Sequence, residues 1–263
     1  MDRPVVEDLT LELKDGVGVI SLDRPHYLNV LDLKTLGELD STLRYVGGDT
    51  SIKAVVLRSS AEKVFTAGAD IKVMRDLNED GARAFASIGQ GIARRIERLD
   101  QPVIVALRGM TMGGGVEIAC ACDIRIAAEG TMLAQPEIDI GVIPGWGGTQ
   151  RLVRHVGPGM AKYIILSGKR IDAEDARRIG LVDFVVPAGD LDRAATDMAR
   201  LLASKSRPAL FAAKKAINRA IENGLEAGLH YETELWDGLF STHDQKEGMR
   251  AFLEKRKPEF TDS

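Results

Sequence analysis

Cysteine is nearly absent: Cys120 and Cys122 are the only two in 263 residues. A pair two residues apart cannot close an unstrained disulfide, and two thiols are too few for the framework of a small secreted fold. Both are read as small apolar packing residues. No apolar stretch approaches the length needed to span a bilayer, and Met1-Asp2-Arg3-Pro4 does not open a run of signal-peptide type. A cytoplasmic location with no membrane partner is therefore expected, although a cleaved organellar presequence would leave no trace. Excess positive charge is lacking too. Against 39 Asp and Glu stand 35 Lys and Arg, a formal net charge of −4, which gives no general argument for nucleic acid as a partner. The metal-site patterns CxxC…CxxC and HExxH do not occur. Nor do the nucleotide loops GxGxxG and GxxxxGKS/T or the GxSxG elbow, and four histidines supply no convincing Ser/His/Asp set.

What is present is an ordinary globular composition, 44% hydrophobic and 28% charged, in a chain long enough for one large α/β domain or a core with a small appendage. Leu9, Leu11 and Leu13 alternate with polar residues before the turn Lys14-Asp15-Gly16 and the run Val17 to Ile20, which predicts a hairpin. Leu33, Leu36, Leu39 and Leu43 mark one helix face; Phe85, Ile88, Ile92, Ile96 and Leu99 mark another, stopped by Pro102. Short apolar runs at Ala54–Leu57, Val103–Leu107, Ile124–Ala127 and Leu181–Val186 predict buried strands, and Phe65 to Lys72 is expected as a loop. Strand and helix alternate repeatedly, so the fold class is α/β with largely parallel strands. Beyond Pro187 only helical segments are predicted, ending in a basic tail; about 60 helical residues cannot bury much alone and should pack on their own core or on another subunit.

Two glycine-rich stretches draw attention. Met112-Gly113-Gly114-Gly115 runs into Val116-Glu117, and Ala67-Gly68-Ala69-Asp70 follows the strand at Ala54. If the strands at Ala54 and Val103 are neighbours, each loop offers a backbone N–H to one substrate oxygen, forming an oxyanion hole. A helix starting at Val116 would put its unpaired N–H groups toward negative charge. For either loop alone, a simple tight turn is the competing reading. Glu117 and, in Gln135-Pro136-Glu137, a second glutamate suggest paired acid–base chemistry on a carbonyl compound with a water held between them. Taken singly, Glu117 reads as a helix-start carboxylate and Glu137 as a solvated loop charge.

Together these residues resemble the enoyl-CoA hydratases of the crotonase superfamily. The resemblance runs from Arg24-Pro25 to Phe260 and is carried by Phe65–Lys72, Gly113-Gly114-Gly115-Val116-Glu117, Cys122-Asp123, Gln135-Pro136-Glu137-Ile138 and Pro144-Gly145-Trp146-Gly147-Gly148-Thr149-Gln150-Arg151-Leu152. It implies a spiral of repeated ββα units over residues 1–200 and a helical oligomerisation region over 201–263, assembled as a trimer or a dimer of trimers. It implies an acyl-CoA thioester held by the N–H groups of Ala69 and Gly114. Ala67, Asp70, Ile71 and Lys72 would line the coenzyme A site, joined by Lys255 from a neighbouring subunit. Because both glutamates are present, it implies hydration of trans-2-enoyl-CoA to 3-hydroxyacyl-CoA in fatty-acid or related degradation. Neither a metal nor a redox cofactor is implied, coenzyme A being part of the substrate. Isomerisation or a dedicated dehydration on the same fold is the alternative, and an inactive acyl-CoA-binding protein a more distant one. Departures from the family pattern fall where the acyl group would lie. Leu133-Ala134 replaces a common Phe-Gly, and Trp146 replaces a frequent alanine. With Met74 and Met112 these are candidates for lining the acyl pocket, packing being the competing reading.

Overall fold

Alternating apolar residues and a tight turn build the first hairpin. The structure, a computed structural model, describes residues 2–263. Strands β1 (Leu9–Lys14) and β2 (Val17–Leu22) pair antiparallel from Leu9↔Leu22 to Lys14↔Val17, across a turn in which Asp15 and Gly16 both take positive φ. From β2 onward the sheet grows in parallel through β3 (Ala54–Ser59), β5 (Val103–Leu107), β7 (Ile124–Ala128) and β10 (Phe184–Val186), giving the order β1-β2-β3-β5-β7-β10. A second sheet, β4-β6-β8-β9, contains β4 (Val64–Thr66), β6 (Met110–Met112), β8 (Met132–Ala134) and β9 (Ile171–Asp172).

The two sheets share a plan. Strand β3 is followed by β4, β5 by β6 and β7 by β8, so each turn of the chain lays one strand in each sheet and then enters a helix. Those helices are α3 (Glu79–Arg98), preceded by the five-residue α2 (Ile71–Arg75), then α4 (Gly114–Ala121) and α5 (Gly148–Ser167). This is the spiral of ββα units, and the α/β class expected from the sequence stands. The segment expected as a loop from Phe65 to Lys72 is only partly one: it starts in β4 and ends in α2.

The large sheet is buried on both faces, which is why its parallel strands read as continuous apolar runs. Val55, Leu57, Val103, Val105 and Leu107 pack toward α1 (Leu33–Gly48) and α3, against Leu36, Leu39, Leu43, Ile92 and Ile96. Ala54, Val56, Ile104 and Ala106 alternate to the other face, under α7 (Leu191–Ala203) with Leu191, Ala195 and Ala199. Side-chain caps fix the starts of α1 and α3, where Asp32 accepts from the Thr35 N–H and Asn78 from the Gly81 N–H. Two expected core positions are not in the core: Leu33 is 51% and Ile88 40% exposed. The strand expected over Leu181–Val186 is confined to its last three residues. The N–H groups of Leu181 and Val182 turn back to the Ala176 carbonyl and close α6 (Ala173–Arg178), and Gly180 takes φ 85°.

The division expected at residue 200 falls inside α7, which belongs to the sheet layer. Past it come α8 (Arg207–Asn223), α9 (Leu225–Leu239) and α10 (His243–Leu253). Helix α8 is fastened to the body by Lys214, only 7% exposed, whose Nζ donates to the carbonyls of Ile96 and Gln101 and to Asp123 Oδ2 at 2.7 Å. No helix among the described residues is long and apolar enough to cross a membrane.

Candidate active site

Parallel pairing in the small sheet gathers the candidate residues. Strand β4 pairs with β6 (Thr66↔Thr111), and β6 with β8 (Met112↔Ala134), so the segments leaving all three strands emerge side by side. These are Ala67–Asp70, Gly113–Glu117 and Gln135–Glu137. Gly113 donates to the Ala134 carbonyl at 2.9 Å, and a Cβ on Gly68 would lie 2.9 Å from the Met112 carbonyl oxygen and 3.5 Å from the Gly114 nitrogen. Gly68 (φ 95°) and Gly113 (φ 51°) hold conformations that favour glycine.

The backbone there leaves two donors over. Ala69 sits in a parallel bridge to Leu31, in which Leu31 donates to the Gly68 carbonyl and accepts from Asp70. Ala69's own N–H therefore points away from that partner. Gly114 is the first residue of α4, two positions ahead of the expected start at Val116, with Gly113 at the cap. Its N–H is one of the orphan donors of a helix start. Among the described residues, neither N–H has an acceptor.

Glu117 lies in the first turn of α4, 2% exposed. Its Oε1 accepts from the N–H groups of Trp146 and Gly148, both at 2.7 Å, while Oε2 accepts from no described residue. Burial raises its pKa; those N–H groups and the charge of Arg151 oppose the rise. Glu137 lies in a 3₁₀ turn (Pro136–Ile140), half-buried. Burial pushes its carboxyl up to about 7; its own backbone N–H works against that, and the charge of Glu117 adds to it. The Gln135 amide is satisfied only with its nitrogen toward Glu137, donating at 2.8 and 3.0 Å to the two carboxylate oxygens. A Cβ on Gly113 would come within 3.0 Å of Glu137 Oε1. The two carboxylates thus flank the glycine corner and differ in support: one is gripped by backbone N–H groups, the other by a neutral amide.

The remaining candidates separate. Asp70 caps α2, accepting from the Lys72 N–H at 2.8 Å, while Ile71 and Lys72 are exposed and Ala67 is half-buried. Lys255 lies outside the cluster, exposed in a left-handed turn beyond α10. Met112, Leu133 and Trp146 are buried, and Met74 packs partly buried on the main core. The Trp146 indole fills the gap between α3 and α4: a Cβ on Gly89 would fall 2.1 Å from it and one on Gly114 2.3 Å, with the Phe85 ring tilted against it at 5.5 Å. Both cysteines are buried, and burial pushes the Cys120 thiol up to about 12.

Sequence reading missed the groups that hold the two carboxylates. The Trp146 and Gly148 N–H groups carry no residue-type signal. Arg151 did carry one. A cation in the first turn of a helix opposes the macrodipole, which points to a buried partner, and Glu97 is that partner.

An α/β spiral with two desolvated carboxylates beside two free backbone donors defines a class of acid–base proteins built for a carbonyl-containing ligand. Within that class, the sequence model described as enoyl-CoA hydratase/isomerase matches residues 12–263, and the chain belongs to that family. It is similar to the short-chain-enoyl-CoA hydratase of Clostridium acetobutylicum, 42% identical with 97% of each chain covered. It is also similar to the crotonyl-CoA hydratase of Syntrophomonas wolfei, 40% identical over 97% of this chain and 98% of the relative. The crystal structure of an enoyl-CoA hydratase from Bacillus anthracis superposes with a TM-score of 0.94 at 39% identity, covering 98% of this chain and all of that one.

Proposed function

We infer that this chain is an enoyl-CoA hydratase, a hydro-lyase adding water across the 2,3-double bond of trans-2-enoyl-CoA to give 3-hydroxyacyl-CoA. The carrying observation is the meeting, at the ends of β4, β6 and β8, of two unpaired N–H groups and two carboxylates in different environments. The N–H groups of Ala69 and Gly114 take the thioester oxygen. Charge developing on it as the enolate forms is what they stabilise, and loss of one such donor typically costs roughly 3–4 kcal/mol. Glu117, held by two N–H groups with Oε2 free, takes a proton from the water that becomes the 3-hydroxyl. Glu137, whose carboxyl is pushed up to about 7 and so keeps its proton in a substantial fraction at neutral pH, delivers the proton to C2. Only protons and water move, so the addition involves no net redox change, and the four protein groups named supply the acid, the base and the oxyanion donors without a further cofactor; coenzyme A stays part of the substrate.

Coenzyme A runs along Ala67, Asp70, Ile71 and Lys72 in this reading, with Lys255 of a neighbouring subunit near its phosphates. The exposed apolar side chains Ile217, Ile221 and Trp236 of α8 and α9, and Phe252 and Leu253 of α10, support assembly into a trimer or a dimer of trimers. The names of the two curated relatives and the bulk of Trp146 make short enoyl chains the first substrates to try. The two buried free thiols fit a cytoplasmic setting. The test is loss of enoyl absorbance with crotonyl-CoA and longer homologues; a folded protein that binds coenzyme A yet turns over none of them overturns the reading.

A further inference from the structure

Among the described residues, Arg151 is the buried cation beside Glu117, and the proposed chemistry does not use it. It stands in the first turn of α5 with its side chain 10% exposed. Its guanidinium forks onto Glu97 of α3, Nε to Oε1 at 2.8 Å and Nη2 to Oε2 at 2.7 Å. The third donor, Nη1, reaches the Trp146 carbonyl at 3.0 Å, and a Cβ on Gly147 would fall 2.1 Å from that nitrogen. The guanidinium is therefore laid along the Trp146–Gly148 turn, the same stretch whose N–H groups at 146 and 148 hold Glu117 Oε1. Three donors in fixed planar geometry suit this task in a way that a point charge does not.

We propose that Arg151, backed by Glu97, is a positioning residue for Glu117: it fixes the turn that grips Oε1, aims Oε2 at the reacting water and holds the carboxylate ionised. The inference rests on the reading that Glu117 handles the water. Arg151 touches no substrate and acts through the turn and through its charge. Other groups facing Glu117 do not substitute for it. Glu137, from the 3₁₀ turn, opposes ionisation. Glu97 opposes it as well and is neutralised by the fork. On α4, burial keeps the Cys120 thiol protonated. On α5, His155 donates from Nε2 to the Cys120 carbonyl, and burial together with Arg125 holds its pKa below the ordinary imidazole value, which favours the uncharged ring.

The sign of the effect separates positioning from mere folding. Removing the cation leaves Glu97 uncompensated, so Glu117 ionises at higher pH; removing the Glu97 charge does the opposite. The experiment is crotonyl-CoA hydration by Arg151→Met, Arg151→Lys and Glu97→Gln across pH, with kcat and KM separated and folding checked by circular dichroism. For Arg151→Met the acid limb of kcat should move up by about one pH unit, roughly a tenfold loss relative to the parent below the limb, with that deficit closing as pH rises and KM little changed. Arg151→Lys should fall between it and the parent. Glu97→Gln should shift the limb downward or leave it, and carries the test alone if Arg151→Met does not fold. Equal loss at every pH, or the same direction of shift in Arg151→Met and Glu97→Gln, overturns the proposal. Failure of the parent protein to hydrate any enoyl-CoA would instead remove the reading of Glu117 on which it rests.

Discussion

Two carboxylates that divide acid and base work as proposed need different charge states, and the residues around Glu117 and Glu137 differ. Glu117 gives one oxygen to two N–H groups, which favours its anion. Glu137 has a neutral amide partner and a carboxyl lifted to about 7. Glu117→Gln and Glu137→Gln should each lower kcat for hydration by orders of magnitude and leave the circular dichroism spectrum unchanged; near-parental rates in either would refute the division of labour. If Glu137, its carboxyl lifted to about 7, is the proton donor as proposed, hydration should decline as pH rises through that value, read as the alkaline limb of kcat and belonging to the coupled pair. A raised folded-state pKa also means that ionisation is disfavoured in the fold. Stability linked to Glu137 is full below its ordinary carboxylate range and lost as pH rises through about 7. Glu137→Gln should therefore raise the melting temperature more at pH 8 than at pH 5, and an equal effect at both would contradict the burial argument. Both glutamates were legible in the sequence because their neighbours form ordered motifs. The N–H groups that grip Glu117 were not, since any residue type supplies one.

At the scale of elements, long periodic segments were readable and short ones were not. Strands β4, β6 and β8 have three residues each, too few for a period, yet they carry the site. Leu33 and Ile88 kept helical spacing but sit at the ends and edges of their stripes, where 3.6-residue periodicity drifts off the buried face. The Trp146 indole packs between α3 and α4 directly over Gly89, where there is no room for a side chain. Gly89→Val forces the ring out of its place and should cost about 1–3 kcal/mol in urea unfolding, with a loss of kcat because the Trp146 N–H moves away from Glu117. Unchanged stability would show that the gap is looser than the 2.1 Å approach implies.

For the whole molecule, the joint between the spiral and the C-terminal helices has one buried ammonium at its centre, beside outer bonds from Asn218 to the Glu97 carbonyl and from Arg207 to the Thr50 carbonyl. Lys214 saturates its donors on two carbonyls and Asp123, and Asp123 in turn accepts from the Val103 N–H at 2.7 Å. Lys214→Met strands that carboxylate in an apolar setting and should destabilise the fold by about 3–5 kcal/mol, whereas Lys214→Met combined with Asp123→Asn should recover part of the loss. An additive double variant in equilibrium unfolding would rule out the pairing as the source. The sequence showed a helical C-terminal region and an α/β body, but nothing in the residue pattern marked Lys214 as buried, because a lysine on a helix ordinarily faces water.

The layout of the spiral also sets an order in time. Ala69 comes from the β3–β4 turn of the chain, Gly114 and Glu117 from the β5–β6 turn, Glu137 from the β7–β8 turn, and the N–H groups that hold Glu117 from residues 146 and 148. During synthesis from the N-terminus, the donors therefore emerge before the second acid, and the turn that gathers Glu117 emerges last. On the proposed site, a nascent chain shorter than about 150 residues should be catalytically silent, and half-chains expressed separately should have to reassociate across the sheet before either can act.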